Sequence, residues 1–232
     1  MSIAPFPTTR RSVIVALSSA DVAERTRAFD TLLACYWKPL YKYARVAFRR
    51  TREDAEDLTQ SFFARAFEKE SLAAYDPAKA GFRTFLRLLF DRHAANEWRA
   101  GQRIKRGGGE VHLDFDTAES ELDRDASSSV TPEEYFQREW VRSVFALAVA
   151  RLRERCDERQ FALFEAYDLG DDRSISYRAL AERFGVAETK ITNDLAAARR
   201  KFREIVLEAL REVTASEQEF RSEARSLLGV TL

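Results

Sequence analysis

Residues 176–203 gather side chains able to read duplex DNA. Glu188, Thr189, Lys190, Thr192, Asn193 and Asp194 fall near the start of a predicted helix, where side chains can meet major-groove base edges. Arg199, Arg200, Lys201 and Arg203 follow, and cations in that place suit phosphates. A second set precedes it, in which Arg83, Arg87, Arg92 and Arg99 share a predicted helix with Trp98 and lead into Arg103-Ile-Lys-Arg106. Basic residues interleaved with aromatics suit single-stranded or melting DNA, where bases stack on rings and phosphates meet cations. The opposite charge collects at Asp54, Glu56 and Asp57, acids that complement the start of a helix dipole.

Other chemistries lack their residues. His93 and His112 are the only histidines, and neither has metal-ligand or triad-like spacing. Cys35 and Cys156 are far apart and read as small apolar groups in a reducing compartment. Gly107-Gly-Gly109 precedes no lysine-serine or lysine-threonine pair, so it is no phosphate cradle. The expectation is a protein with no catalytic site, no metal and no cofactor. No run of eighteen apolar residues occurs and the N-terminus lacks a secretory pattern, so a cytoplasmic protein without a membrane partner is expected.

The elements that must position these groups are helices. Leu32, Leu33, Tyr36, Trp37, Leu40, Tyr41 and Ala44 recur at helical spacing. So do Leu58, Phe62, Phe63, Ala66 and Phe67, and again Phe82, Phe85, Leu86, Leu89 and Phe90, with no sustained two-residue alternation. Thr51, Thr131, Asp157 and Ser216 each stand three residues before an acid or glutamine and mark helix starts. The predicted fold is all-α, two helical domains joined by an acidic flexible linker. Its parts are a domain at 1–106, a linker at 107–130, a domain at 131–203 and a helical extension at 204–232. The second domain contains a helix-turn-helix: Leu180, Ala181 and Phe184 face inward, Gly185 allows the turn, and Val186, Ile191 and Leu195 seat the second helix.

The formal net charge is zero, but its distribution is not even. Residues 83–106 carry seven bases against Asp91 and Glu97, and residues 173–203 carry eight against three acids, so each stretch is +5. Residues 110–139 hold ten acids and two arginines, a balance of −8. Binding follows the local field, so two basic lobes around an acidic connector remain compatible with nucleic acid.

The Asp54-Ala-Glu-Asp-Leu-Thr-Gln60 helix, the aromatic-basic helix after it and the C-terminal helix-turn-helix together resemble an extracytoplasmic-function RNA polymerase sigma factor. The likeness covers about residues 25–106 and 131–203. It implies a protein that binds core RNA polymerase through the β′ clamp helices and the β flap, and that recognises promoter DNA. Asp54, Glu56, Asp57, Gln60 and Arg65 would face the polymerase. The loop at Ala73, Ala74 and Tyr75 would hold a flipped −10 base, with Arg92, Asn96, Arg99 and Arg103 along the melted strand. Thr189, Lys190, Thr192, Asn193, Arg199 and Arg200 would meet the −35 element.

Ser61 stands where the family usually has an acid, Asp194 where an arginine is common, and the C-terminus is extended. The Leu-Thr-Gln-x-Phe-Phe variant resembles a branch linked to Ser/Thr protein kinases, which makes Thr59 and Ser61 phosphorylation candidates. A phosphate there would add about −1.5 to −2 charge to a surface expected to meet basic groups. The alternative is a stand-alone helix-turn-helix regulator, which would leave the 54–67 helix without a role.

Overall fold

The computed structural model describes residues 16–17, 19–68, 72, 74–101, 113–125, 130–170 and 175–229. Regular structure among them is entirely helical, without strands. In chain order the helices are α1 (Val22–Ala47), α2 (Arg52–Glu68), α3 (Phe82–Gly101), α4 (Phe115–Asp125), α5 (Pro132–Arg155), α6 (Glu158–Phe164), α7 (Tyr177–Phe184), α8 (Glu188–Val213) and α9 (Glu217–Leu228). A π-helical turn, Glu165–Leu169, continues α6. Two compact units result: the first runs to Val144 and resumes at Leu210, and the second is Phe145–Ala209.

Helix starts are set locally, by side chains that take up backbone N–H groups left without carbonyl partners. The Thr131 hydroxyl accepts from Glu134 N at 3.2 Å while the Glu134 carboxylate accepts from Thr131 N at 2.9 Å, a reciprocal capping box. Thr51, Asp157, Ser176 and Ser216 cap α2, α6, α7 and α9 through one bond each, from a backbone N–H to the cap side chain.

In the first unit, α1 supplies Leu32, Tyr36, Leu40, Tyr41 and Ala44, all fully buried. Phe62 and Phe63 of α2, Phe82, Leu86 and Phe90 of α3, and Tyr135, Phe136 and Trp140 of α5 are buried with them. The rings meet edge-on, as their quadrupoles favour: Tyr36 on Phe82 at 5.9 Å, Phe62 on Phe90 at 5.1 Å and Tyr43 on Phe136 at 5.8 Å.

Part of the expected flexible linker is instead an ordered helix. Phe115 of α4 packs on Trp37 at 5.5 Å and Tyr41 at 5.0 Å, and Ala118 is fully buried. Burying a side chain such as Phe115 stabilises by about 2 kcal/mol. The acids that suggested a solvated tether have fixed partners: Glu119 pairs with Arg45, and Glu121 with Lys38 at 2.9 Å and Lys42 at 2.7 Å. Burial pushes the Glu121 carboxyl up, but hydrogen bonds from Lys42 and Lys38 more than offset this and hold it below its ordinary value. Lys42 is fully buried and also donates to Glu139, itself 2% exposed, at 2.5 Å. A buried ammonium persists only when paired in this way.

Residues of the C-terminal extension from Leu210 onward belong to the first unit. Phe220 and Ala224 are buried. The Glu219 carboxylate accepts from Phe82 N at 2.7 Å, at the start of α3, and from Ala215 N at 2.9 Å. Glu223 pairs with Arg83 at 2.9 Å. A Cβ on Gly81 would stand 2.8 Å from Glu219 Oε1, so glycine makes room for that carboxylate.

In the second unit, Leu163, Leu180, Ala181, Ile191 and Leu195 form a buried cluster flanked by Tyr167, Tyr177, Phe184 and Val186. Gly185 ends α7 in the left-handed conformation with φ 64°, which a residue without Cβ adopts freely. Phe202 of α8 lies 5.8 Å from Phe145 and 5.2 Å from Phe164.

Candidate protein- and nucleic-acid-binding faces

The buried stripe of α2 (Ala55, Leu58, Thr59, Phe62, Phe63 and Ala66) turns the opposite side to solvent. Glu53, Asp54 and Asp57 are exposed there, and none has a cationic partner among the described residues. Glu56 is held by Arg52 at 2.7 Å, and Arg52 also reaches Asp116 of α4. Gln60 is half-buried, and exposed Arg65 pairs with Glu97 of α3 at 3.0 Å.

The expectation of phosphorylation at Thr59 is overturned. Thr59 is fully buried and donates its hydroxyl to Ala55 O at 2.7 Å, so no kinase reaches it on the folded chain. Its place four residues after Ala55 and one before the outward Gln60 puts it on the inner stripe. The half-buried Ser61 hydroxyl donates to Leu58 O at 3.1 Å and meets His93 Nε2 at 2.8 Å. Burial drops the His93 pKa to about 4, with Glu97 opposing and Arg65 assisting, so the ring is neutral near neutrality.

On α3, Arg92, Asn96 and Arg99 are exposed along one side, and neither arginine has a carboxylate partner among the described residues. Trp98 is 62% exposed beside them. Arg103 and Ala73 lie outside the described residues. Tyr75 belongs to the loop expected to hold a flipped −10 base. Its ring packs on Phe82 at 5.3 Å and Phe85 at 5.1 Å, and its hydroxyl donates to Ala80 O at 3.0 Å. Burial, with nearby Glu219 and Asp76, pushes that hydroxyl up to about 12.

On α8, Glu188, Thr189, Lys190, Thr192 and Asn193 are exposed in succession around buried Ile191. Asp194, expected among the base-facing residues, turns inward instead and is 2% exposed. It sits three residues after Ile191 and so shares its buried side. It accepts from Lys190 Nζ at 2.6 Å and lies 3.4 Å from Arg159. Arg199 is engaged as well: both oxygens of Asp168 accept from its guanidinium at 2.9 to 3.1 Å, and it lies over the Tyr167 ring at 5.2 Å. The π-helical turn provides both partners, so Arg199 must leave them before it can meet a phosphate. Arg200 is exposed and carries no such pair among the described residues.

One feature was not read from the sequence. The turn between α1 and α2 brings Phe48 and Arg50 against Asp91, Ala94, Ala95 and Trp98 of α3, around an open groove of about 440 Å³. Adjacent arginines at a helix end were the available signal, but nothing local ties them to a helix forty residues on.

Among the described residues no cluster of histidine, cysteine and carboxylate side chains could hold a metal ion, and no helix is long and apolar enough to cross a membrane. No protein family, curated protein or solved structure matches the chain.

Proposed function

We propose that this chain is a sigma factor of the extracytoplasmic-function type, which binds core RNA polymerase and directs it to promoters. The observation that carries the reading is the exposed face of α2, where Glu53, Asp54 and Asp57 have no cationic partner among the described residues. Unpaired carboxylates repel a polyanion and attract a basic protein surface. The β′ clamp helices are the partner proposed for this face, with Gln60 at its edge. Arg92, Asn96 and Arg99 then serve the opened −10 strand, and Thr189, Lys190, Thr192, Asn193 and Arg200 serve the −35 duplex through a helix-turn-helix formed by α7 and α8.

Gating by a kinase at Thr59 is not part of the proposal, given its burial. The test is binding of the purified chain to bacterial core RNA polymerase, beside the Asp57→Arg variant. Binding by the wild type that Asp57→Arg loses supports the reading. Absence of binding, with a promoter footprint from the chain unaided, overturns it in favour of a stand-alone regulator.

A further inference from the structure

Two carboxylates of the second unit hold cations of α8, and their settings differ. Asp194, which accepts from Lys190, is buried and belongs to the packing of the unit. Asp168 and its partner Arg199 are both exposed, yet their geometry is closely fixed. Arg199 Nε donates to the two Asp168 oxygens at 3.1 and 3.0 Å, and Nη2 donates to Oδ1 at 2.9 Å. The guanidinium also lies over the Tyr167 ring at 5.2 Å, and that ring is seated edge-on against Tyr177 at 5.1 Å. Tyr167 and Asp168 come from the π-helical turn Glu165–Leu169, a departure from α-helical register found most often at functional sites. Gly170 follows the turn, where a Cβ would stand 2.6 Å from Ala166 O, so the backbone leaves the turn by a path that a larger residue would obstruct.

An ion pair this exposed contributes little to folding, so the stability of the unit does not account for it. A carboxylate gripped by a planar guanidinium is the counterpart of a phosphate gripped the same way, and the two compete for the same N–H groups. Its neighbour Arg200 is exposed and has no such acid beside it among the described residues. We infer that Asp168 is an internal competitor for DNA phosphate, which occupies Arg199 and lowers the affinity of α8 for duplex DNA until a phosphate takes its place. This rests on the reading that α8 meets duplex DNA, to which it adds a limit on how tightly that face binds. Two effects oppose the exchange: the bonds to Arg199 must break, and the carboxylate set free then faces a polyanion. Asp194 cannot play this part, because its burial ties it to the core whether or not DNA is present.

The test uses the full chain and a short fluorescein-labelled duplex of mixed sequence, because a phosphate contact carries no sequence information. Fluorescence anisotropy at low ionic strength is expected to show Asp168→Asn binding about fivefold tighter than wild type, with Asp168→Ala alike. The salt dependence of Asp168→Asn should be steeper by about one released counterion. Arg199→Ala should weaken the wild type little and should erase the gain in Asp168→Asn. Other basic surfaces of the chain drop out of that comparison, since every variant keeps them. Unchanged affinity in Asp168→Asn, or the weaker binding that a positioning role would give, overturns the inference. So does a gain that Arg199→Ala leaves in place, which makes the effect one of net charge alone. Duplex binding that Arg200→Ala weakens and Asp168→Asn does not improve removes the inference and leaves the wider reading of α8 standing. No duplex binding by the wild type or by Asp168→Asn overturns both.

Discussion

Replacing Lys42 by methionine tests whether α4 is held to the first unit by charge. The Lys42 ammonium is fully buried, 2.5 Å from Glu139 and 2.7 Å from Glu121, and the Glu139 carboxylate is 2% exposed. Methionine nearly matches the lysine stem, so packing changes little and the loss is electrostatic. Glu121 can recover water, its side chain being 37% exposed, but Glu139 keeps only Arg142 at 2.5 Å. Removing one partner of a buried pair costs about 3–5 kcal/mol, most of it from the charge left behind. Glu139→Leu should cost less, because Lys42 keeps its pair with Glu121 at 2.7 Å. The double variant strands neither, so it should lie closer to wild type than the two losses summed, with a coupling of at least about 2 kcal/mol. Urea unfolding followed by tryptophan fluorescence reads this out, since Trp140 and Trp37 both belong to the unit concerned. Losses that add to within about 0.5 kcal/mol, or a Lys42→Met variant as stable as wild type, would refute the reasoning.

Four further outcomes follow from the same geometry. Glu219→Gln keeps the shape at the start of α3 but removes a charged acceptor from Phe82 N and Ala215 N, and a loss of about 1–2 kcal/mol is expected in urea melts. Gly81→Ala should cost less in a Glu219→Ala background than in wild type, because its Cβ crowds that carboxylate. His93, with a folded pKa of about 4 against about 6.5 unfolded, binds its proton more weakly when folded. Stability should therefore rise with pH from about 4 to 6.5 and level off above, by up to about 3 kcal/mol; His93→Gln should flatten that rise, and an unchanged slope in pH-dependent melts would contradict it. Asp194→Ala leaves Lys190 without its 2.6 Å acceptor and a polar site without its carboxylate, so a loss of about 1–3 kcal/mol is expected by chemical denaturation. No loss would show that the inward carboxylate is structurally idle.

Local rules carried the reading of the helices. The Thr131–Glu134 box, the caps at Asp157 and Ser216 and the turn at Gly185 depend on residues three or four apart, and the structure has each where the spacing predicts. The exposed acids of α2 and bases of α3 were legible for the same reason, since helical periodicity says which side a residue faces. Thr59 was legible too, as its spacing from Ala55 and Phe63 puts it inside.

Distant pairings were not legible. Glu119 and Glu121 read as linker acids because their partners Lys38, Lys42 and Arg45 stand more than seventy residues earlier. The seat of Glu219 at Phe82 spans 137 residues, so no local pattern showed where the tail packs. The inward turn of Asp194, the capture of Arg199 by Asp168 and the groove under Trp98 are likewise products of packing. Composition and periodicity settle that this chain is helical and where its charges lie, because backbone hydrogen bonding and amphipathicity act over a few residues. Which charges are spent on one another and which remain for a partner depends on side chains brought together from remote parts of the chain, and that is decided only when the core closes.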